Sequence, residues 1–263
     1  MRICRFALGE EIGYGVVHGA DEDGAVTATT VVASLIGHPL GELTPDGRIL
    51  PIEEVRLLAP VIPSKVVAVG RNYAAHASEF GNEVPSEPMI FLKPSSSVIG
   101  PGEAIVLPWQ STQVEHEAEL AVVIGRLCRD VPAAQAEDVI WGYACANDVT
   151  ARDLQRSDGQ WSRAKGFDTF CPLGPWVDTE FRVADGSIRC TVNDQVRQQA
   201  DLVEMVFDVP ALIEAVSAVM TLVPGDVILT GTPAGVGPLH DGDSVTVSID
   251  GLGILGNRVI DRG

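Results

Sequence analysis

Three glutamates at alternate positions carry the strongest chemical signal in the sequence. Glu115, Glu117 and Glu119 lie in the segment Val114-Glu-His-Glu-Ala-Glu-Leu-Ala-Val-Val-Ile124, and the period of two in a β-strand places them on one face. Like charges this close repel, and the apolar continuation predicts burial, where bare carboxylates are costly. A bound hard cation would resolve this conflict. The alternative is an edge strand whose glutamates form the solvent-exposed face.

A third oxygen ligand is expected from another strand, and Asp148 is the candidate. It ends the apolar run Val139-Ile-Trp-Gly-Tyr-Ala-Cys-Ala-Asn147, and the end of a buried strand is a common place for a functional acid. Carboxylate oxygens alone fit Mg²⁺, Mn²⁺ or Ca²⁺, whereas zinc prefers nitrogen and sulfur. The residues therefore indicate an oxygen-only site for one of these three ions.

Several segments, taken together and in order, resemble the fumarylacetoacetate hydrolase family over roughly residues 65–260. Each segment alone would be weak, but their shared order and spacing make the resemblance specific. They are Gly70-Arg-Asn-Tyr-Ala-Ala-His76, Phe91-Leu-Lys-Pro94, His116-Glu-Ala-Glu-Leu120, Asn147-Asp-Val-Thr-Ala-Arg-Asp153, Lys165-Gly-Phe167 and Leu229-Thr-Gly-Thr-Pro-Ala-Gly-Val-Gly237.

The resemblance implies a metal site and a fold. In that family a Glu-x-Glu pair and a later Asp hold Mg²⁺ or Mn²⁺, which implies Glu117, Glu119 and Asp148 as ligands here and leaves Glu115 outside the set. It also implies a mixed β-roll around the metal, and dimers are common among relatives. The N-terminal segment is similar to that of bacterial members assigned as 2-hydroxyhepta-2,4-diene-1,7-dioate isomerases.

Three catalytic candidates also follow from the resemblance. The family's catalytic histidine and its glutamate partner map to His76 and Glu79, which are neighbours on a helix because they are three residues apart. The family's lysine maps to Lys165. The alternatives are a polar histidine on an Ala-rich surface helix and an ordinary solvated lysine.

These residues could hydrolyse a 3-acylpyruvate. An α-keto acid can chelate a metal, which then favours an adjacent enolate. His76, oriented by Glu79, would activate the water that attacks the distal carbonyl, and Lys165 would stabilise the oxyanion. Enol–keto isomerisation and oxaloacetate decarboxylation pass through the same enolate and remain alternatives. A rival of another class is a non-catalytic binding module stabilised by Ca²⁺.

Weaker signals indicate contacts to the substrate. The loop Thr230–Gly237 lacks the pattern of a nucleotide-binding loop, but the Thr232 hydroxyl and nearby backbone amides could hold a carboxylate. An ordinary turn after a strand is the alternative. Arg71 and Gln155 are further candidates, although Arg71 could simply pair with one of many acids.

The elements that must position these residues are mostly strands. Short β-branched runs punctuated by Gly and Pro predict a β-rich α+β fold, with strands at Arg2–Leu8, Gly13–His18 and Val26–Thr30 and a single strand over Glu115–Ile124. Helices are predicted at Asn72–Phe80 and around Ala200–Met220. Prolines near residue 63 predict a boundary between a small β-rich domain, residues 1–62, and a catalytic domain, residues 63–263.

The amino-acid composition limits the classes of binding partner that are expected. The net charge of -18 would repel phosphate backbones and anionic lipid, so neither nucleic acid nor membrane is an expected partner. It would also repel an anionic substrate, so the site needs local positive charge. The apolar fraction of 46% leaves apolar area for a subunit interface and predicts an oligomer, and the resemblance implies a homodimer. Five cysteines without paired spacing predict reduced thiols in the cytoplasm.

Overall fold

The protein is built mainly from β-strands. The computed structural model describes residues 1–262. Its strands are β1 Arg2–Leu8, β2 Glu11–His18, β3 Val31–Ile36, β4 Thr44–Pro51, β5 Arg56–Leu58, β6 Val66–Gly70, β7 Met89–Lys93, β8 Val98–Ile99, β9 Ala104–Leu107, β10 Val114–His116, β11 Ala118–Ile124, β12 Ile140–Asn147, β13 Thr150–Ala151, β14 Cys171–Asp178, β15 Ser187–Val192, β16 Gln195–Asp201, β17 Val227–Leu229, β18 Gly237–Pro238, β19 Ser244–Ile249 and β20 Gly253–Asp261.

Helices are few and short. The α-helices are α1 Ala74–Glu79, α2 Arg152–Asp158, α3 Ser162–Lys165 and α4 Val209–Val219, and 3₁₀ turns cover Ile52–Glu54, Ser95–Ser97, Ala133–Asp138, Val183–Asp185 and Leu202–Glu204. None of the helices within residues 1–262 is long and apolar enough to cross a membrane. The predicted β-rich α+β class is confirmed.

A mixed sheet of 12 strands forms the centre of the molecule. Its order is β4-β3-β2-β1-β14-β12-β11-β17-β6-β7, with β5 and β8 attached to β1 and β14. Most neighbours are antiparallel, but β17 runs parallel to β6 and β8 runs parallel to β14. Every residue of β11 and β14 is buried, which explains why both read as nearly continuous apolar runs.

The two faces of β11 have different roles. Leu120 and Val122 pack into the largest core cluster together with residues of β15 and α4. Ala121 and Val123 pack on the other face, in a second cluster. Because side chains alternate along a strand, Glu119 continues this second face toward the end of β11.

Two smaller sheets complete the fold. One has five strands in the order β16-β15-β19-β20-β9, and the other has three in the order β13-β10-β18. β10 and β11 are separate strands in different sheets, so the single strand predicted over Glu115–Ile124 is wrong. The chain passes from the three-stranded sheet to the central sheet at Glu117.

The N-terminal segment shares the central sheet. β1 pairs with β14 through Arg2 and Asp178, and β1 also pairs with β2 and β5. Trp176 of β14 lies in the same core cluster as Cys4 and Phe6 of β1. Residues 1–62 are therefore joined to the remainder by strand pairing and by apolar packing, and the predicted division at residue 62 stays a prediction.

Two further predicted elements differ from the structure. The helix expected around Ala200–Met220 is α4 alone, because Ala200 and Asp201 end β16, which pairs with β15, and Leu202–Glu204 form a separate 3₁₀ turn. Asp208 caps the helix by accepting from the Ala211 N–H at 2.9 Å, and Pro210 is tolerated in the first turn. The strand expected at Val26–Thr30 is a turn, in which the hydroxyls of Thr27 and Thr30 donate to Gly19 O.

Candidate active site

One cavity brings together eight of the nine candidate residues. It encloses about 300 Å³, which suits a small organic acid. Glu79 is the exception, because it contacts His76 from outside the cavity wall. The candidate residues in the wall are Arg71, His76, Glu117, Glu119, Asp148, Gln155, Lys165 and Thr232.

The pairing of β11 with β12 brings the carboxylates together. Ala118 pairs with Asn147 in an antiparallel register, so the residue before Ala118 lies opposite the residue after Asn147. The Asp148 N–H donates to Glu117 O at 2.8 Å, and the Glu117 N–H donates to Asn147 Oδ1 at 2.9 Å. Carboxylate oxygens of Glu117, Glu119 and Asp148 lie within 4.8 Å of one another.

Glu119 differs from the other two acids in its partners. It is 1% exposed, and its Oε2 accepts from the Gly231 N–H at 2.7 Å. Within residues 1–262 it forms no ion pair. Burial, followed by the negative charges of Asp148 and Glu117, raises the pKa of Glu119 well above its usual value. A buried carboxylate beside two others is therefore short of positive charge, and a divalent cation fits that deficit.

Lysines partly neutralise the other two acids. Lys165 Nζ lies 2.7 Å from Glu117 Oε2 and 2.5 Å from Asp148 Oδ2. Burial lowers the pKa of Lys165, but the carboxylates of Asp148 and Glu117 outweigh that effect and the net pKa is raised. Lys93 Nζ lies 2.6 Å from Asp148 Oδ1, although that oxygen accepts no hydrogen bond of good geometry within residues 1–262. Asp148 Oδ1 therefore keeps a lone pair for a metal ion.

His76 and Glu79 form a pair at the edge of the cavity. They lie on α1, where His76 Nδ1 is 3.3 Å from Glu79 Oε2. The Glu79 carboxylate also accepts from the Gly235 N–H at 3.2 and 3.3 Å. Because Glu79 engages Nδ1, the other ring nitrogen of His76, Nε2, is left for proton transfer in the cavity.

Arg152 is a functional candidate that the sequence analysis missed. It is 4% exposed, and its Nε donates to Glu115 Oε2 at 2.7 Å. It also bonds to Glu117, and its Nη1 donates to Gln155 Oε1 at 2.5 Å. Glu115 lies outside the group of three acids, as expected, and holds Arg152 instead. Arg152 lies in a segment that carries the family resemblance, but its buried neighbourhood follows from tertiary contacts, which the sequence does not reveal.

The loop after β17 uses its backbone amides differently from the prediction. The N–H groups of Gly231 and Gly235 donate to Glu119 and Glu79, so both bind carboxylates of the protein. Gly231 has a φ of 100°, and a Cβ there would lie 2.7 Å from the Asn72 Cβ, so glycine is required. Thr232 lines the cavity, and its hydroxyl is the polar group of this loop that remains a candidate for substrate.

Basic side chains in the cavity wall can offset the repulsion of an anionic substrate by the net negative charge of the protein. Arg71, Arg152, Arg156 and Lys165 all line the cavity. Within residues 1–262 Arg71 enters no ion pair, so pairing with a surface acid does not explain it. The walls also include Phe91 and Trp161, whose rings meet edge to face at 5.1 Å between centroids. The cavity wall therefore carries four basic side chains beside its three acids, and Lys165 Nζ lies 5.0 Å from the centroid of the Phe91 ring.

Family models match nearly the whole chain. A model described as "Fumarylacetoacetate (FAA) hydrolase C-terminal" matches residues 65–260, and one described as "Rv2993c-like, N-terminal" matches residues 1–60. Human oxaloacetate tautomerase FAHD2A, mitochondrial, is 47% identical over 225 residues, which cover 81% of this chain and 72% of that protein.

Solved structures show the same similarity. A 2-hydroxyhepta-2,4-diene-1,7-dioate isomerase from Mycobacterium marinum has a TM-score of 0.92 and 48% identity, covering 100% of this chain and 99% of the other. A maleylpyruvate hydrolase from Sphingobium sp. SYK-6, in complex with manganese (II) ion and pyruvate, has a TM-score of 0.80 and 34% identity, covering 99% of each chain. The chain belongs to the fumarylacetoacetate hydrolase family of enzymes.

Proposed function

We propose that the protein is a divalent-metal-dependent hydrolase that cleaves a C–C bond in small β-diketo acids of the acylpyruvate or fumarylacetoacetate type. The observation that carries the proposal is the unpaired, buried carboxylate of Glu119 beside Glu117 and Asp148, in the same cavity as His76. The acids provide a site for a cation, and the histidine provides a base. Both are needed to hydrolyse such a bond by way of an enolate.

Glu117, Glu119 and Asp148 would hold Mg²⁺ or Mn²⁺, and their oxygen-only donor set makes Ca²⁺ a further candidate. When bound, the ion would supply an electrophile that an α-keto acid can chelate, and it would stabilise negative charge on that acid. The manganese (II) ion and pyruvate in the maleylpyruvate hydrolase neighbour support this assignment.

The chain's own residues would move the proton and bind the substrate. His76 Nε2 takes a proton from water as the water attacks the distal carbonyl, and Glu79 orients the ring and stabilises its charged form. Lys165 stabilises the oxyanion that forms. The C–C bond then breaks, which releases a carboxylic acid and the enolate of pyruvate, and the enolate takes up a proton.

Three side chains are proposed to bind the rest of the substrate. Arg71 offers a guanidinium to a carboxylate, Thr232 offers a hydroxyl, and Gln155 is held in place by Arg152 at 2.5 Å. Their positions around a cavity of about 300 Å³ favour a small keto or enol acid over a polymer.

Enol–keto isomerisation is the second candidate, and the relatives favour it. Proteins 47% and 48% identical to this chain are named as an oxaloacetate tautomerase and a 2-hydroxyhepta-2,4-diene-1,7-dioate isomerase. Both reactions move a proton next to a carbonyl and need the same base, but neither needs an attacking water. Oxaloacetate decarboxylation would use the same metal site. A non-catalytic module is excluded by membership of a family of enzymes.

Pyruvate release is the direct test of the proposal. The purified protein with Mg²⁺ or Mn²⁺ should release pyruvate from acetylpyruvate, and a chelator should abolish the release until metal is restored. In parallel, the loss of the enol absorbance of oxaloacetate measures isomerisation. Metal-dependent loss of the enol without pyruvate release from any acylpyruvate would reject the hydrolase in favour of the second candidate.

Two assignments go beyond the site. We propose a homodimer, which is supported by the apolar fraction of 46% and by the dimers that are common among members of the family. We also propose a cytoplasmic location, in line with the five free cysteines, four of which are buried.

A further inference from the structure

A buried glutamine lies behind the loop that carries Thr232. Gln198 belongs to β16 and is 1% exposed. Its Nε2 donates to Thr232 Oγ1 at 2.7 Å and to Pro233 O at 2.7 Å. We infer that Gln198 is a positioning residue, which makes the Thr232 hydroxyl an acceptor on its protein side and thereby directs the hydroxyl proton to a carboxylate bound in the cavity.

Backbone groups fix the orientation of the Gln198 amide. The Ala118 N–H can only donate, and it lies 3.1 Å from Gln198 Oε1. Pro233 O can only accept, and it lies 2.7 Å from Nε2. A flipped amide would place two donors together at Ala118 and two acceptors together at Pro233, so the orientation has no competitor.

His116 reinforces the same orientation. Its Nδ1 lies 2.9 Å from Gln198 Oε1, which is an acceptor, so Nδ1 must carry the proton. Ala118 and His116 belong to the segment that carries Glu117 and Glu119, on the opposite face. Gln198 thus links the metal-ligand segment to the Thr232 loop, beside the hydrogen bond from the Gly231 N–H to Glu119.

The consequence for Thr232 follows from the valence of a hydroxyl. The oxygen accepts from Gln198, and within residues 1–262 the hydroxyl donates no hydrogen bond. Thr232 is 3% exposed and lines the cavity, so its proton is available there. A carboxylate oxygen is the partner that a lone donor in this place would favour. This inference rests on the proposed function, since it needs a carboxylate ligand in the cavity.

A double-mutant cycle on ligand binding tests the inference. The measurement is the dissociation constant of pyruvate at saturating Mn²⁺, determined by calorimetry for Gln198→Met, Thr232→Val and the double variant. Gln198→Met should weaken binding roughly tenfold, the scale of one hydrogen bond to a charged group. In the Thr232→Val background it should change binding less than twofold, because the hydroxyl it acts through is gone. In a Thr232→Ser background the tenfold loss should return.

Several outcomes would overturn the inference. An equal loss of pyruvate affinity in the wild-type and Thr232→Val backgrounds would mean that Gln198 only supports the sheet. The inference would also fail if Gln198→Met caused no loss of affinity in the wild-type background, or if the wild-type protein bound no pyruvate. If Gln198→Met does not fold, Gln198→Glu replaces the Nε2 donor while it keeps the acceptor for Ala118, and the same cycle applies. Failure of the hydrolase proposal would appear as missing pyruvate release, which leaves this binding measurement intact.

Discussion

The charges of the buried residues explain why the site calls for a cation. Glu115, Glu117, Glu119 and Asp148 are all buried, and the buried bases in contact with them are Lys93, Lys165 and Arg152. With all four acids ionised, this cluster has one negative charge in excess. A divalent ion would make it positive by one, and a carboxylate substrate would then restore neutrality. The expected order of binding is therefore metal first and substrate second.

At the scale of single residues, His76 and Glu79 provide a prediction about catalysis. His76→Ala should slow acylpyruvate hydrolysis by roughly a factor of a hundred to ten thousand, the contribution of a positioned base. Glu79→Gln should cost less, because the imidazole remains and only its orientation and charge stabilisation weaken. Steady-state pyruvate release measures both, with the exposed His18→Ala as the control.

The same variants separate water activation from metal chemistry. The affinity of His76→Ala for Mn²⁺ should stay within a factor of two of the wild type, and oxaloacetate decarboxylation should survive better than hydrolysis because it needs no attacking water. If decarboxylation falls as far as hydrolysis while metal binding is intact, His76 positions the substrate and is not the base.

Sequence reasoning found the acids more readily than their partners. The alternation of glutamates along the sequence identified Glu117 and Glu119 as candidates, and the family resemblance identified His76, Glu79 and Lys165. Lys93 and Arg152 lie in two of the segments that carry the resemblance, but they received no role, because a lysine or arginine is normally solvated and becomes a buried partner only through contacts distant in sequence. Lys93 is 1% exposed and Arg152 is 4% exposed, and this burial is a property of the fold.

At the scale of elements, the crossing from one sheet to another at Glu117 positions the site. Glu117 lies between β10 and β11, outside the strand pairing of either sheet. Its carboxylate can therefore approach that of Asp148, which follows the end of β12. Alternation alone predicted a continuous strand, because a change of sheet leaves the period of two nearly intact. The pairing partners, not the pattern, decide where the strand is interrupted.

Gly235 gives a prediction about the loop that supports Glu79. It has a φ of 99°, and a Cβ there would lie 2.0 Å from Arg197 O. Gly235→Ala should push the loop off β16, loosen Glu79 and lower kcat roughly a hundredfold, the effect of a displacement of about 1 Å. Gly242 is the matched control, since it has a φ of 85° and open space around its Cβ position.

The control isolates the displacement from backbone strain. Gly242→Ala should lower the free energy of unfolding by about 1 kcal/mol, the cost of a non-glycine residue at positive φ, and should leave kcat unchanged. Urea unfolding and pyruvate release measure the two quantities. Equal effects of both substitutions on kcat would show that the contact with Arg197 is irrelevant.

At the scale of the whole molecule, the acidic surface and the basic side chains of the cavity have separate effects. The net charge of -18 slows the approach of an anion at low salt, and Arg71, Arg152, Arg156 and Lys165 act within the cavity, where screening is weaker. The composition therefore predicted the absence of nucleic-acid partners from the total charge, but could not show where the positive charges collect.

The predicted homodimer is a property of the whole molecule. Light scattering on the purified protein at micromolar concentration should give about twice the mass of the 263-residue chain, because the apolar fraction leaves surface for an interface. A monomer across the micromolar range would contradict this prediction.

The fold class could be read from the sequence better than its connections could. Short β-branched runs predicted β1 with the observed bounds. The pairing of β1 with β14, about 170 residues away, was not predictable, because period-two alternation gives no information about distant partners. The extent of α4 was overestimated for a similar reason, since Ala200 and Asp201 are held in β16 by β15.

The central claim is that Glu117, Glu119 and Asp148 hold the metal ion on which activity depends. Calorimetric titration of chelated protein with Mn²⁺ tests it most directly, using wild type, Glu119→Gln and the exposed control Glu87→Gln. We predict one ion per chain for wild type and control, and at least a hundredfold weaker binding for Glu119→Gln, which keeps the shape and loses the charge. The variant should unfold at the same or a higher urea concentration than wild type in chelator, because one of three repelling charges is gone. Unchanged Mn²⁺ affinity in Glu119→Gln, with the variant folded, would contradict the account.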